Sequence, residues 1–165
     1  AWVDRNWDSI GGCGVFLMQL EIPMETNLHL LARLEGCSRT LILDPAPARP
    51  LPPELLTGAD YLTPNEVELS QGARAIIAKA GKRGAFIATP GSFERIPGFQ
   101  VDAIDPTAAG DTFNAGFALA LSEGQTVRES VRFANAAAAL STTAFGAQGA
   151  MPDRNRVEDL LRDRG

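Results

Sequence analysis

The sequence predicts an α/β fold built on a mainly parallel β-sheet, and two patterns support this. Continuous apolar runs, VFLMQL (15–20) and RTLILD (39–44), are typical of strands that are buried on both faces. Segments with apolar residues at helical spacing alternate with the strands, as in parallel sheets covered by helices. At 165 residues the chain is long enough for one domain with a sizeable core.

The first half of the chain is predicted to be rich in strands. A helix with Leu28 and Leu31 on its apolar side follows the first strand and ends at Gly36, a typical C-cap. After the second strand a proline-rich loop, PAPARPLPPELL (45–56), interrupts regular structure, because proline continues neither a helix nor a central strand. Further short strands, each bounded by glycine or proline, are predicted at ADYLT (59–63), RAIIAKAG (74–81), GAFIAT (84–89) and a hairpin edge, GSFERIPGF (91–99).

One connection does not fit this scheme well. Only about ten residues, 64–73, separate two predicted strands, whereas a parallel crossover usually needs a dozen or more. Either a segment is missing here or the connection is unusually tight.

The second half is predicted to be helical. A helix from Asp111 to about Gly124 repeats apolar residues every fourth position, and Thr126 with Glu129 forms a capping box for the next helix. The small-residue surface ANAAAAL (134–140) allows either tight helix packing or close approach of a ligand. The apolar positions of these helices, and of a last helix capped by Asp153, are Phe113, Phe117, Leu121, Val127, Val131, Ala134, Val157, Leu160 and Leu161.

Composition and charge argue against several classes of function. The net charge of -5, without a basic face, argues against a nucleic-acid surface. Cys13 and Cys37 lack C-x-x-C spacing and His29 is the single histidine, so we expect no zinc site and a reduced, cytoplasmic chain. No apolar run reaches the roughly 18 residues of a membrane span. Charges in AWVDRNWDSIGG (1–12) are incompatible with a signal peptide.

The segment DPTAAGDTF (105–113) is the strongest candidate for a functional site. The first turn of a helix leaves backbone N–H groups unpaired and carries the positive end of the helix dipole. With almost no side-chain bulk in TAAGD, an anion can reach the amides of Ala109, Gly110 and Asp111. A carboxylate beside such a hole suits deprotonation of a hydroxyl while the hole holds a transferring phosphoryl group. The simpler alternative is that Asp111 only caps the helix.

A family resemblance covers most of the chain. DPTAAGDTFNAGFALAL (105–121) resembles the C-terminal signature of the ribokinase-like (PfkB) carbohydrate kinases, whose usual form is D-T-T-x-A-G-D-x-F. QLEIP together with ILDPAPAR favours the ribokinase branch over the adenosine kinase and phosphofructokinase branches. The blocks that resemble the family, in the family's order, are QLEIP (19–23), ILDPAPAR (42–49), LTPNEVE (62–68), KAGKRGAFI (79–87), RIPGFQVDAID (95–105) and RFANAAAALSTTAFGAQGAMP (132–152).

The resemblance implies a ribokinase-like three-layer sandwich, of which residues 15–165 are the C-terminal, nucleotide-binding part. The family's N-terminal half and its β-sheet lid, which also makes dimers, have no counterpart in the sequence, and residues 1–14 stay unassigned. A parallel sheet cut in half exposes a strand edge, so association into a homo-oligomer is one expectation. Pro106 stands where the family has Thr, which could stiffen or shift the loop before the hole.

The implied activity is ATP-dependent phosphorylation of a sugar hydroxyl, with a ribose-like small molecule as acceptor and no nucleic-acid or membrane partner. Asp111 would be the catalytic base, Ala109 and Gly110 would belong to the anion hole, and Glu21 would contact a sugar hydroxyl. Without the family, Glu21 is interpreted as a solvent-exposed residue at a strand end. The alternative function is a truncated, inactive fragment that binds nucleotide or a partner chain.

The resemblance also implies sites for ATP, Mg²⁺ and a monovalent cation, K⁺. Asn65 and Glu68, in the pattern N-x-x-E, would organise Mg²⁺ and the phosphates, and Asn135 would reach the adenine. From the residues alone, a solvated helix start is the better interpretation of Asn65 and Glu68, and a packed polar residue is the better interpretation of Asn135. Asp105 is equally a turn cap. The adenosine site would be lined by Lys79, Gly81, Lys82, Arg83 and Gly84, and the K⁺ ligands would be Asp105 and the carbonyls of Thr107, Ser141, Ala144, Gly146 and Ala150.

Overall fold

The computed structural model describes residues 2–65 and 74–163, and the strands in these ranges form one six-stranded sheet in chain order. β1 to β4 run parallel to one another, while β5 and β6 complete the sheet as antiparallel neighbours. The predicted mainly parallel α/β sheet with a hairpin edge is confirmed. The strands are β1 (Val15–Met18), β2 (Thr40–Leu43), β3 (Tyr61–Leu62), β4 (Ala75–Lys79), β5 (Ala85–Thr89) and β6 (Ser92–Ile96).

Register places the buried strands side by side. Phe16 of β1 pairs with Leu41 of β2, and Leu62 of β3 pairs with Ile76 of β4. β1 is shorter than the predicted 15–20, because the Leu20 amide leaves the strand ladder and donates to the Ala46 carbonyl at 2.9 Å. The connection between β3 and β4 that appeared short in the sequence runs through residues 66–73, which lie outside the described residues; the two strands it joins are direct parallel neighbours.

Seven α-helices and a short 3₁₀ helix (Gly81–Arg83) lie in the described ranges, and two of the α-helices correct the sequence reading. Part of the proline-rich loop forms α4, with Pro53 in its first turn, where the missing N–H of proline would have no partner anyway. α5 begins at Ala109, two residues before the predicted start at Asp111. The helices are α1 (Trp2–Arg5), α2 (Trp7–Ile10), α3 (Met24–Arg33), α4 (Pro53–Gly58), α5 (Ala109–Ser122), α6 (Val127–Ser141) and α7 (Arg154–Asp163).

The previously unassigned N-terminal segment packs on α3. The His29 ring and the Asp4 carboxylate are 2.8 Å apart, and the Arg33 guanidinium lies 4.3 Å from the ring centre of Trp7. The hydrogen bond from His29 holds the pKa of Asp4 at about 2, below the ordinary aspartate value.

The core is layered, as the sandwich expectation requires. Along β2, Leu41 and Leu43 face α3 and α4, whereas Ile42 faces α5 and α6 with Phe117. Alternation of side chains across a strand therefore builds one apolar layer on each face of the sheet. A third cluster joins α5 and α6 to α7. No helix in the described ranges is both long and apolar enough to cross a bilayer.

α5 and α6 pack closely through small residues. A Cβ placed on Gly116 of α5 would lie 3.2 Å from the Cα of Ala134 on α6. The observed capping box at the start of α6, in which the side chains of Thr126 and Glu129 bond each other's backbone amides, confirms the predicted start of that helix. The small-residue surface thus serves helix packing at Ala134, one turn from the cavity described next.

Candidate active site

A cavity of about 710 Å³ lies at the carboxyl end of the parallel strands, beside the start of α5. Ligands in open α/β sheets usually bind in this position. The structure brings together on its walls the predicted anion-hole residues Ala109 and Gly110 and every predicted nucleotide-binding residue except Arg83. The nucleotide-binding set on the walls is Asn65, Lys79, Gly81, Lys82, Gly84, Gly110 and Asn135.

The start of α5 exposes two unpaired amides. Its N-cap is Ala108, whose φ of 57° is unusual for a residue other than glycine and costs about 1 kcal/mol or more. The Ala109 amide donates to the Pro106 carbonyl at 3.2 Å, so this proline takes part in the turn as an acceptor. Among the described residues, the amides of Gly110 and Asp111 have no partner. The anion hole therefore has two free donors rather than the three predicted.

Asp111 is exposed in the first turn of α5, next to these amides. Its carboxylate has no hydrogen-bond partner in the described part of the chain, and it is not among the residues that line the cavity. The alternative reading of Asp111 as a helix cap is not supported, because Ala108 holds the N-cap position and no side chain makes a capping bond there.

A buried ionic cluster lies under the start of α5. The Lys79 ammonium is 3.0 Å from Asp44 Oδ2 and 3.4 Å from Asn114 Oδ1, and the Asn114 amide donates to the same Asp44 oxygen at 2.5 Å. The side chains of Lys79 and Asp44 are only 9% and 7% exposed. Asp44 Oδ1 is buried without a partner in the described residues. The cluster connects the ends of β2 and β4 to α5.

The glycine turn after β4 closes one end of the cavity. Gly84 has a φ of 92°, and a Cβ there would overlap the backbone of residues 96–98. The sequence predicted that ATP would approach the backbone closely at Gly84, but that space is filled by the protein's own backbone. Gly81, with a φ of 52°, faces open space. The Asn135 side chain lines the cavity, but its amide group donates to the carbonyls of residues 96 and 97 at 3.1 and 3.2 Å.

The predicted cation ligands come from two loops that Asp105 joins. Asp105 accepts hydrogen bonds from the Thr107 hydroxyl and amide at 2.6 and 2.9 Å and from the Gly146 amide at 2.9 Å. These bonds, that of the Thr107 hydroxyl above all, hold the pKa of Asp105 below its ordinary value. The backbone carbonyls predicted as ligands accept no hydrogen bond from described residues; they belong to Thr107, Ser141, Ala144, Gly146 and Ala150. Their oxygens are therefore free to coordinate a cation, and K⁺ prefers such hard oxygen ligands.

The remaining predicted residues lie apart from the cavity or outside the described ranges. Glu21 is exposed in the loop after β1 and does not line the cavity. Of the two residues predicted to bind Mg²⁺, Glu68 lies outside the described residues. The other, Asn65, forms an isolated parallel β-bridge with Lys79 at the end of β4.

The family assignment rests on a sequence profile. The profile described as pfkB family carbohydrate kinase matches residues 67–154, which is more than half of the chain. The chain belongs to the PfkB family of carbohydrate kinases. The resemblance found in the sequence blocks is thereby confirmed.

Individual relatives of this PfkB chain were found both by sequence and by fold. A ribokinase of Bacillus subtilis is 45% identical over 158 residues, which are 88% of this chain and 54% of that protein. The solved ribokinase of Arabidopsis thaliana, complexed with ribose and ATP, matches with a TM-score of 0.89 and 31% identity over 96% of this chain and 59% of its own. A ribokinase structure from Thermotoga maritima has a TM-score of 0.87 and 36% identity, with 95% and 59% covered. The chain thus spans about half the length of the curated relatives it matches.

Sequence reasoning about this PfkB chain missed Asp44 and Asn114. A signal was present, because Asp44 directly follows a buried strand and so stands at the sheet edge where ligands bind. Asn114 lies three residues after Asp111 in α5, so it was within reach of the same region. Neither position reveals from the sequence alone that both side chains meet Lys79.

Proposed function

We propose that this chain carries the ATP-binding and phosphoryl-transfer part of a kinase that phosphorylates a hydroxyl of a ribose-like sugar. The observation that carries the proposal is the pair of unpaired amides, Gly110 and Asp111, at a helix start beside a large cavity, with the free Asp111 carboxylate next to them. Similarity to ribokinases, one of them solved with ribose and ATP, supports the choice of substrates.

The cavity suits a nucleotide. Its volume of about 710 Å³ falls in the usual range for small-molecule sites, about 300–1,000 Å³. Apolar side chains of Phe99, Val101 and Ala139 line it and would pack against the adenine. The start of α5 would then receive the phosphates, because its free amides and the helix dipole both favour an anion.

In this proposal Asp111 acts as the general base. The hydroxyl oxygen of the sugar attacks the γ-phosphorus while its proton passes to the Asp111 carboxylate. The bond between the γ-phosphorus and the bridging oxygen breaks, and its electron pair leaves with ADP. The amides of Gly110 and Asp111 stabilise the charge on the transferring group.

Two metal sites belong to the proposal. Asn65 and Glu68 would hold Mg²⁺, which would neutralise phosphate charge. Asp105 and the free carbonyls of residues 107, 141, 144, 146 and 150 would hold K⁺, whose positive charge would fix the shape of the loops beside the hole.

The test is the variant Asp111→Asn in the 165-residue chain. We expect ADP release in the presence of D-ribose to fall by about 10²- to 10⁴-fold, the usual contribution of a general base, while calorimetric ATP binding survives. Asp8→Asn is the matched control, since it removes an exposed first-turn carboxylate from α2. Equal turnover in Asp111→Asn and the parent would remove Asp111 from its role.

A nucleotide-binding chain without turnover is the second candidate. It is favoured by the exposure of both predicted sugar contacts, Glu21 and Asp111, neither of which lines the cavity. The same assay distinguishes the two functions, because this candidate binds ATP and releases no ADP when D-ribose is added.

A further inference from the structure

The loop after β1, residues 19–23, is fixed to the rest of the fold through its backbone. The Leu20 amide donates to the Ala46 carbonyl at 2.9 Å, and the side-chain amide of Asn27, a fully buried residue of α3, donates to the Gln19 carbonyl at 2.8 Å. The Glu21 amide donates to the Gln19 side chain. These bonds leave the backbone of the loop little freedom to move.

Arg49 holds the two carbonyls on either side of Glu21. Its Nη2 donates to the Leu20 carbonyl and, at 3.2 Å, to the Ile22 carbonyl. Arg49 Nε is buried and has no partner among the described residues, which is costly. The bonds to the loop are therefore what keeps the guanidinium in this position.

The proline-rich loop 45–56 supports Arg49. Arg49 and Ala46 both lie in it, next to the prolines at 45, 47 and 50. Proline locks φ, so this segment has few conformations available even without tertiary bonds. A stiff segment that follows β2 and bonds both sides of residue 21 fixes the loop after β1 relative to the sheet.

The Glu21 side chain is left free by all these contacts. Its carboxylate is exposed and has no partner among the described residues. It follows β1 at the carboxyl edge of the sheet, where ligands of such sheets bind. A free carboxylate on a fixed backbone is preorganised to accept hydrogen bonds from hydroxyl groups, so little ordering cost remains when a sugar binds.

We infer that Arg49 is a positioning residue for the sugar: by fixing the carbonyls of Leu20 and Ile22, it directs the Glu21 carboxylate toward a sugar hydroxyl. The inference rests on the proposed function, which takes Glu21 as a sugar contact, and it gives the proline-rich loop a role in substrate binding. Arg49 itself touches no substrate in this arrangement, so its effect on sugar affinity depends on Glu21.

A double-mutant cycle with Arg49→Met and Glu21→Gln measures this dependence. We expect the dissociation constant of D-ribose, from calorimetric titration, to rise about fivefold or more in Arg49→Met, because the loop must then be ordered on binding. In the Glu21→Gln background the same change is expected to add less than about twofold, and ATP affinity is expected to stay within about twofold throughout. An equal rise in both backgrounds would overturn the inference in favour of a general structural role.

Arg39→Met is the matched control. Arg39 is also a partly buried arginine that holds a loop, through Asp60 at 3.0 Å and the Gly58 carbonyl at 3.4 Å, but it stands before β2 at the opposite edge of the sheet. We expect a lower thermal midpoint in Arg39→Met and an unchanged D-ribose affinity of the folded fraction. A loss as large as that in Arg49→Met would contradict a specific role of Arg49.

Arg49→Lys covers the case in which Arg49→Met does not fold. Lysine keeps the charge and enough donors for both carbonyls, so we expect most of the D-ribose affinity to be retained. An affinity no better than that of Glu21→Gln would contradict the inference.

Amide hydrogen exchange tests the contact without any ligand. The Leu20 amide is expected to exchange about tenfold faster in Arg49→Met than in the parent, because the loop opens more easily. The Thr40 amide, which donates to the Gly14 carbonyl between β1 and β2, is the internal reference and is expected to stay unchanged. Unchanged exchange at Leu20 would show that Arg49 does not fix the loop.

Failure of this inference and failure of the proposed function give different results. A parent chain that binds D-ribose but releases no ADP would refute the kinase activity, and the cycle of D-ribose affinities would still decide the role of Arg49. A parent chain that binds ATP but no D-ribose would overturn the inference directly.

Discussion

Replacement of Gly110 by alanine tests the anion hole with little risk to the fold. The residue lies in the first turn of α5 with ordinary helical backbone, so alanine is allowed there. Apart from the neighbouring residues of α5 itself, Lys79 Nζ at 3.8 Å is the one atom of the described residues within 4 Å of the added Cβ. The methyl group would therefore occupy space at the cavity wall beside Lys79 without striking protein atoms, and an anion bound at the start of α5 would compete with it for that space.

Gly110→Ala is expected to change stability and ATP binding in opposite directions. Gly→Ala at a compatible site stabilises a protein by about 0.4–1 kcal/mol, so the free energy of unfolding is expected to stay level or rise. One hydrogen bond to a charged phosphate contributes about 1.5–3 kcal/mol, and loss of one bond corresponds to about 10- to 150-fold weaker ATP binding.

Calorimetric titration with ATP and adenosine, combined with urea unfolding, measures both effects. We expect weaker ATP binding, unchanged adenosine binding and an undiminished unfolding free energy. Undiminished ATP affinity in Gly110→Ala would refute the placement of the phosphates at the start of α5, and a large loss of stability would refute the open space assigned to the methyl group.

Gly116→Ala is the matched control in the same helix. Its Cβ would lie 3.2 Å from the Ala134 Cα, so the helices must shift by a few tenths of an ångström. Overpacking typically costs about 1–3 kcal/mol, of which the helix preference for alanine offsets about 0.5–1 kcal/mol. We expect reduced unfolding free energy and, for the folded fraction, ATP affinity equal to that of the parent. The two glycines thus separate space kept for a ligand from space needed for helix packing.

Three further predictions concern stability. Thr126→Ala removes the capping box with Glu129 and is expected to lower the unfolding free energy in urea by about 1 kcal/mol. Asp4, whose pKa falls from 3.8 to about 2 beside His29, stabilises the fold fully only well above pH 4 and loses this effect as the pH falls through 2; the difference in thermal midpoint between the parent and Asp4→Asn should therefore shrink between pH 4 and pH 2 and vanish below pH 2. Gly84→Ala is expected to cost at least about 2 kcal/mol in urea unfolding, because its φ of 92° and the adjoining backbone both exclude a side chain.

The elements that the sequence predicted best are those with strong local signals. The apolar run at 39–44 gave β2, and the Thr126 box located the start of α6. The start of α5 was misplaced because its N-cap is Ala108, which carries no polar side chain to mark the boundary. α4 was missed because prolines dominate its approach, although proline is well tolerated in a first helical turn.

The candidate site divides in the same way. Free amides at the start of α5 follow from helix geometry, so Gly110 and Asp111 could be selected from the sequence. That Ala109 donates to Pro106 depends on the path of the preceding loop, which local patterns do not specify. The pairing of Lys79 with Asp44 joins residues 35 positions apart, and only the order of strands in the sheet brings them together.

The ionic cluster explains how a strained turn can hold its shape. The left-handed backbone at Ala108 costs free energy and needs support from its surroundings to persist. Asn114, in the second turn of α5, is bonded to Asp44, and Asp44 is bonded to Lys79 at the end of β4. This chain of bonds fixes the first two turns of α5 to the sheet. The free amides of the first turn are therefore positioned before any anion binds, so little ordering cost remains to be met on binding.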